Sequence, residues 1–503
     1  MRYPKLAKAG RIAVIFIVFL FTFLMFFSRY MVETGTGIDA LLYTVTANTG
    51  GTSPDVLING ALYLVPRVIG IFALVAAAAY FTRAVLKKLD IYLNLHIKGK
   101  LKRVRLNRFL AFLLIICLVI VYPAFCFHEA DNDLLIIDYI KRQATVTTIY
   151  EDKYVDAGNA NIIAPEKGKN LIFLWLESME TTYADAENGG AQSTNLIPRL
   201  TELAKDNLCF SGTGNPLSGL ETTEYTSYTF GALFAAISAT PYAYNIRQNV
   251  AGKQTPAPST QFLTDILKSS GYNTEYITGS EAKFAGTGSM LQGHGVSAVY
   301  DINTMYADGV VPDGYYVNWG VEDFRLYDVA KTEITRLSGE AAPFAVIFAT
   351  LDTHFPKGYV CEKCQDEYDD VTSNVIDCAD RQATEFVEWC ASQPFYEDTV
   401  IVILGDHPRM DSELVEGVDS ANRKLYNCFI NTSCEAGASE NRIFTMLDIT
   451  PTLLSALGFK IENERLGFGV NLLSGEKTLP EELGLEYFKG ELVKKSEYFI
   501  SHF

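Results

Sequence analysis

Three short apolar runs in this chain each lead into residues that bind metal ions or move protons. Residues 171–176 run into Glu177, 344–350 into Asp352 and His354, and 401–404 into Gly405, Asp406 and His407. Carboxylate oxygen and imidazole nitrogen together suit a borderline divalent cation. The whole chain holds only six histidines, so two at such positions exceed background. Each residue alone has a plainer use: Glu177 as partner of a helix N-terminus, Asp406 and His407 as turn residues, His354 as a hydrogen-bonded core histidine. Their equivalent placement after three apolar runs favours one shared site. A threonine-rich stretch, with Thr222, Thr223, Thr226 and Thr229, lies between the first and second runs. Any of these hydroxyls could serve as a nucleophile once activated.

For such residues to meet, the runs must be strands of one sheet whose carboxyl ends share an edge, where sites form in open α/β sheets. The rest of the pattern supports that arrangement. Residues 197–204 read as a helix with Pro198 near its start. Residues 262–269 read as a helix ended by Gly271, 274–277 as a strand, 377–390 as a helix, and 446–457 as a helix ended by Gly458. Short apolar strands alternating with helices predict an α/β fold, a mostly parallel sheet covered by helices on both faces. This domain is expected over residues 169–475. A polar juxtamembrane linker, 128–168, precedes it and an extension, 476–503, follows. No internal repeat or low-complexity stretch is visible.

Residues 1–127 read as a membrane domain. The chain has 503 residues, 49% of them hydrophobic, and a formal net charge of -17. That charge argues against a nucleic-acid partner, and no Gly-rich dinucleotide or phosphate-loop fingerprint is present. Residues 12–28 are uncharged and follow Arg2, Lys5, Lys8 and Arg11. A cleaved signal peptide is the alternative, but further apolar segments follow and no small-residue cleavage site stands after Phe27. Residues 57–82 form a second segment, interrupted by Pro66 and Arg67, whose guanidinium could snorkel to the headgroups. Residues 109–127 form a third, long enough to cross the hydrocarbon. The connector between the second and third carries Arg83, Lys87, Lys88, Lys98, Lys100, Lys102, Arg103, Arg105 and Arg108. The connector between the first and second has Glu33, Asp39 and Asp55 and, past Arg29 at its very start, no Lys or Arg. Three spans with a cytoplasmic N-terminus then leave everything after Phe127 outside the cytoplasm; were the Arg67 segment not to cross, that orientation would reverse. Seven of the nine cysteines follow residue 200. Cys361 and Cys364 form a lone CxxC, for which a structural disulfide, Cys364 with Cys378, is expected over a metal knuckle.

Taken in order, Leu176-Glu177-Ser178, the threonine-rich stretch, Asp352-Thr353-His354 and Gly405-Asp406-His407 resemble the alkaline phosphatase and sulfatase superfamily. More narrowly they are similar to the phosphoglycerol transferase I and lipoteichoic acid synthase group. Phe284-Ala285-Gly286, His294-Gly295, Trp319-Gly320, the run from Asp352 to Gly358 and the run from Tyr228 to Pro241 resemble phosphoglycerol transferase I. The resemblance implies Thr229 as nucleophile, with Glu177, Thr229, Asp406 and His407 around one divalent ion, manganese first and magnesium or zinc as alternatives. It implies His354 as the group that binds the phosphoryl unit or protonates the leaving oxygen, and substrate contacts from His354, Asp352, His294, Phe284 and Trp319. The implied donor is a phosphatidylglycerol-type lipid and the implied acceptor an envelope glycan. A phosphoethanolamine transferase or a phosphodiesterase or sulfatase-type hydrolase of the same superfamily is the nearest rival. No C/S-x-P-x-R stretch for formylglycine lies near Thr229. An inactive envelope scaffold or sensor is the rival of another class.

Overall fold

The computed structural model describes residues 4–46, 54–85, 88, 91–97, 100–243, 257–411 and 413–502. Of the basic residues that bear on orientation, Arg2, Lys87 and Lys98 lie outside the described residues. The chain divides into two compact units: Met1–Ile38 with Pro54–Ile140, and Asp39–Ser53 with Lys141–Phe503.

The first unit contains helices Pro4–Glu33 and Pro54–Tyr80 and a continuous helical stretch from Leu106 to Leu134. Within these, Ile12–Glu33, Ile58–Tyr80 and Leu106–Leu134 are long and apolar enough to cross a membrane. At about 1.5 Å per residue each exceeds the roughly 30 Å of hydrocarbon. Phe16, Leu62, Ile69, Phe112 and Ile120 project outward, as lipid contact requires. The second helix runs through Pro66 without a break, and Arg67 is served within it: its Nη1 donates to the Tyr63 carbonyl at 2.8 Å and its guanidinium lies 3.6 Å from the Tyr63 ring centroid. The third helix continues past Phe127, where the apolar run ends, because nothing up to Leu134 breaks it. Its polar end is tied down by Ser28 and Arg29, which donate to Asp133 at 3.0 and 3.1 Å. The basic connector contains an antiparallel hairpin, Tyr92–Ile97 with Lys100–Arg105. Its period-2 alternation, Leu93, Leu95 and Ile97 against Asn94 and His96, is the strand signal in that segment.

The second unit is built on a six-stranded sheet. Its strands are β1 (Asn170–Leu176), β2 (Asn273–Thr278), β3 (Ala298–Tyr300), β4 (Phe344–Ala349), β5 (Thr399–Gly405) and β6 (Asn427–Ile430). The spatial order is β6-β5-β1-β4-β2-β3, parallel except for β6, which runs antiparallel at one edge. Alternate residues of each central strand enter opposite cores. Leu171, Phe173 and Trp175 face one core with Val400, Val402, Ala345 and Ile347. Ile172, Leu174 and Leu176 face the other with Ile401, Ile403, Val346 and Phe348. Helices Thr229–Ser238, Leu263–Ser269 and Ile449–Ala456 cover the first face. Helices Pro198–Asp206, Asp323–Ser338 and Val371–Ala391 cover the second. The fold is the expected parallel sheet between two helical layers. Strand β6 and helix Asp323–Ser338 were not expected from the sequence pattern.

The stretch expected as a linker is partly built into this unit. Tyr150 is buried and packs edge-on against Phe468 at 4.7 Å, and Ile162–Ile163 pairs antiparallel with Lys460–Ile461. The C-terminal residues Phe488, Leu492 and Phe499 also belong to the first core. Asp39 lies 3.7 Å from Arg142, and Ala40 is part of the same core. None of the described cysteines is in a disulfide. The expected Cys364–Cys378 bridge is not formed; Cys361 Sγ lies 3.7 Å from Cys364 Sγ and 3.9 Å from Cys378 Sγ.

Candidate active site

Strand register brings the first ligands together. Leu176 pairs with Gly405 across β1 and β5, so the next residues, Glu177 and Asp406, leave the sheet side by side. Two amides fix the carboxylate of Asp406: Ser178 N at 2.7 Å and His407 N at 2.6 Å both donate to Oδ1. Ser178 takes φ 50°, the left-handed region, which turns its amide toward that oxygen and its hydroxyl toward Glu177 Oε1 at 2.7 Å. Gly405 is required by close approach, since a Cβ there would lie 1.7 Å from the Met179 carbonyl.

Helix Thr229–Ser238 supplies the hydroxyl. Thr229 is its first residue, and no side chain caps the amides of its first turn. Thr229 Oγ1 donates to Glu177 Oε2 at 3.4 Å and lies 3.2 Å from His407 Nε2. Two of the neighbouring threonines are engaged with each other. Thr226 Oγ1 accepts the Thr223 amide at 2.9 Å, and the two hydroxyls meet at 3.2 Å in a capping box around Glu224–Thr226. Thr222 Oγ1 is buried without a hydrogen-bond partner.

His407 completes the cluster. Its Nδ1 sits 2.9 Å from the Pro408 carbonyl, which can only accept, so the ring proton is on Nδ1 and the Nε2 lone pair faces inward. That nitrogen is 3.5 Å from Glu177 Oε1 and 3.4 Å from Asp406 Oδ2. The ligand atoms of Glu177, Asp406 and His407 all lie within 4.8 Å of one another, and all three residues are buried. Electrostatics show a shortage of positive charge. Burial, then the charge of Glu177, pushes the Asp406 carboxyl up to about 8. Burial works against a charged His407, yet the Asp406 and Glu177 carboxylates raise its proton affinity above the ordinary value. Asp406 Oδ2 is buried with no hydrogen-bond partner. An orphaned carboxylate oxygen, a second carboxylate, an inward imidazole nitrogen and a hydroxyl fit a divalent cation, which would displace the proton held between them.

The third strand end behaves differently. After β4, the Asp352 carboxylate accepts the Asp323 amide at 3.1 Å, while Asp323 accepts the amides of Leu351 and Asp352 at 2.7 and 3.0 Å. Asp352 therefore shapes the turn that carries His354. His354 Nδ1 lies 3.0 Å from the Phe355 carbonyl, and the same carbonyl accepts from Trp319 Nε1 at 2.9 Å. The Trp319 ring centroid is 4.1 Å from that of His354, and Phe284 is 5.7 Å from Trp319. Loss of water around the ring holds His354 below its ordinary value even with Glu177 pulling the other way. His294, by contrast, is engaged in packing: it stacks on Phe262 with centroids 3.6 Å apart and pairs with Asp265 at 3.0 Å.

Two buried supports carry almost no sequence signal. Glu180 accepts the Arg409 amide at 2.9 Å and Arg423 Nε at 2.8 Å. Arg409 forks onto Asp411 at 2.5 and 2.7 Å and donates to the Thr353 carbonyl at 3.3 Å. Arg409 stands two residues past His407, the only hint of it in the chain. Asp323 reads as an ordinary acid in the first turn of a helix.

The family model described as Sulfatase matches residues 169–459. The chain belongs to the sulfatase family. Within that family it is similar to phosphoglycerol transferase I of Xanthomonas campestris pv. campestris (strain B100), 30% identical over 319 residues that cover 62% of this chain and 43% of that protein. It is similar also to phosphoglycerol transferase I of Escherichia coli (strain 55989 / EAEC), 28% identical over 322 residues, 62% of this chain and 40% of that protein. The chain thus spans less than half the length of these relatives. Among solved structures, a lipoteichoic acid synthase from Listeria monocytogenes aligns with TM-score 0.49 and 18% identity, over 62% of this chain and 77% of that one. Among the described residues matched by that family, Glu177, Asp406 and His407 form a possible metal site.

Proposed function

We propose that this sulfatase-family chain is a membrane-anchored, metal-dependent transferase. It moves glycerol phosphate from a phosphatidylglycerol-type lipid, through a phosphothreonine at Thr229, to an envelope glycan, with the catalytic unit outside the cytoplasm. The observation that carries this reading is the meeting of Thr229 Oγ1 with Glu177 and His407 at the start of a helix. The phosphoglycerol transferase I relatives support the choice of headgroup. The third membrane helix precedes this unit in the chain, and an anchored enzyme meets a lipid donor at the bilayer surface.

Glu177, Thr229, Asp406 and His407 would hold the ion, manganese first with magnesium or zinc as alternatives. When bound it would lower the pKa of the Thr229 hydroxyl and neutralise charge on phosphoryl oxygens. Thr229 gives up its proton to solvent as its oxygen bonds to phosphorus, and the bond from phosphorus to the diacylglycerol oxygen breaks. The first-turn amides of helix Thr229–Ser238 offer hydrogen bonds and a favourable dipole to the phosphoryl oxygens. His354, with Nδ1 committed to Phe355, exchanges a proton at Nε2 and delivers it to the leaving glyceryl oxygen. Trp319 and Phe284 hold that ring against an aromatic wall. An acceptor hydroxyl then gives its proton to His354 Nε2 as its oxygen bonds to phosphorus, and the bond from phosphorus to Thr229 Oγ1 breaks, leaving Thr229 to regain a proton from solvent.

The test uses the full chain in detergent, with phosphatidylglycerol labelled in its headgroup and Mn2+, followed by peptide mapping. A glycerol phosphate adduct on Thr229 is expected. An adduct formed from phosphatidylethanolamine instead would transfer the reading to a phosphoethanolamine transferase. Free glycerol phosphate without glycan modification would make the protein a hydrolase, and no adduct from either lipid would overturn the scheme.

A further inference from the structure

A second cluster of ligating atoms lies outside this centre. The sulfurs of Cys361, Cys364 and Cys378 converge within 4.8 Å of one another. Cys361 and Cys364 sit on one tight turn, closed by the Cys364 amide donating to the Cys361 carbonyl at 3.1 Å. Cys378 comes from helix Val371–Ala391. Cys361 and Cys378 are buried, and Cys364 is partly exposed.

The spacing of the sulfurs is informative. Tetrahedral coordination with metal–sulfur bonds of about 2.3 Å sets sulfur–sulfur edges of about 3.8 Å. Cys361 Sγ lies 3.7 Å from Cys364 Sγ and 3.9 Å from Cys378 Sγ. A disulfide would use two of the three sulfurs and leave the third unpaired beside it. The surroundings suit sulfur in its anionic form. Arg381 Nη2 and Gln382 Nε2 donate to Cys378 Sγ at 3.4 and 3.2 Å, the outer hydrogen bonds that thiolate ligands usually receive. Gln382 is itself 7% exposed, and its Oε1 is buried with no hydrogen-bond partner.

We propose that Cys361, Cys364 and Cys378 together bind one soft divalent metal ion of the zinc class, in a structural site separate from the Glu177 centre. Three thiolates fill three positions and water reaches the fourth past the partly exposed Cys364. Sulfurs that still carry protons release them to solvent on binding. The ion pins the segment that begins with Asp352 and His354 to helix Val371–Ala391, so it braces the third strand end without touching the reacting atoms.

Co2+ titration of the full chain in detergent and phosphine reductant tests this. The Glu177 centre offers only oxygen and nitrogen, so a sulfur-to-cobalt charge-transfer band reports the cysteine site alone. The band should saturate at one equivalent in the native sequence and in Glu177→Gln, and should vanish in Cys364→Ser. Because a cysteine variant can fail to fold, alkylation of the native chain gives a second reading: Zn2+ should protect Cys361, Cys364 and Cys378, and chelation should expose them. Absence of the band, equal alkylation with and without Zn2+, or a disulfide between two of these residues in the chain as isolated would overturn the proposal.

Discussion

The ends of β1 and β5 differ from the end of β4, although all three look equivalent in sequence. From β1 and β5 the chain steps straight into the cluster, because parallel register sets Glu177 beside Asp406. From β4 the chain turns away first. Asp352 is spent on the Asp323 amide, and His354 emerges against Trp319 and Phe355. Position at a strand end delivers a residue to the right edge of the sheet. The backbone hydrogen bonds of the next three residues decide whether its side chain joins the cluster, braces a turn or stands apart.

The contrast breaks most sharply at Thr229, the hydroxyl that the β1 and β5 ends converge on. Thr229→Ala should lower lipid-dependent transfer by about 1,000-fold or more, as loss of a covalent nucleophile does. Thr226→Ala removes only a cap, so it should cost about 1 kcal/mol of stability and spare the chemistry. Assaying headgroup transfer and thermal unfolding on both variants checks this; equal loss of transfer would return the nucleophile to the wider threonine stretch. Chelation should be nearly as severe. Chelator treatment of the chain should abolish transfer, Mn2+ should restore it, and Glu177→Gln should resist restoration. Manganese analysis of the separated protein should show that variant unable to retain the ion.

Much of the sheet and of the candidate metal site is legible in the amino-acid order alone. Leu171, Phe173 and Trp175 alternate with Ile172, Leu174 and Leu176, so the strand and its two buried faces follow from an unbroken apolar run. The same holds for β4 and β5. Glu177, Asp406 and His407 stand out because they follow directly from those runs. The choice among four threonines does not, since capping and nucleophilic roles use the same residue type at the same helix start. His294 is a motif histidine whose ring packs on Phe262 and pairs with Asp265, contacts that its place in the sequence does not reveal. Glu180, Arg409 and Asp323 stay hidden because a buried ion pair or a carboxylate cradle is a property of folded partners, not of spacing.

Between the two strand-end types, His354 is the sharpest probe. His354→Asn should lower transfer by roughly 100-fold, a usual size for a general acid or base, while leaving bound manganese unchanged. Metal loss in that variant would place His354 with the β1 and β5 residues and erase the distinction. Asp352 and Asp323 give a smaller, pH-dependent effect. Burial pushes Asp323 from the ordinary 3.8 to about 7, and burial with the charge of Asp323 pushes Asp352 up as well. A carboxyl that binds its proton more tightly when folded stabilises the fold below its unfolded value and loses that contribution as pH rises through its folded value. The pair should therefore cost the second unit stability between pH 3.8 and about 7. Asparagine at position 352 still accepts the Asp323 amide but cannot ionise, so Asp352→Asn should flatten the fall in Tm across that window. Parallel slopes in the two proteins would show that the carboxyls titrate independently of folding.

The smallest effect should come from Trp319. Its indole N–H shares the Phe355 carbonyl with His354, so the same acceptor fixes both the tautomer of the histidine and the tilt of the aromatic wall. Phenylalanine at this position keeps much of the ring contact and removes one donor. A single hydrogen bond of this kind contributes about 1 kcal/mol, or roughly fivefold in an equilibrium. Trp319→Phe should thus raise KM for the lipid about fivefold or less with little change in kcat, because His354 loses orientation and keeps its chemistry. Should kcat fall as far as in His354→Asn, the wall would belong to proton transfer itself, and the β4 end would be as directly built for chemistry as the other two.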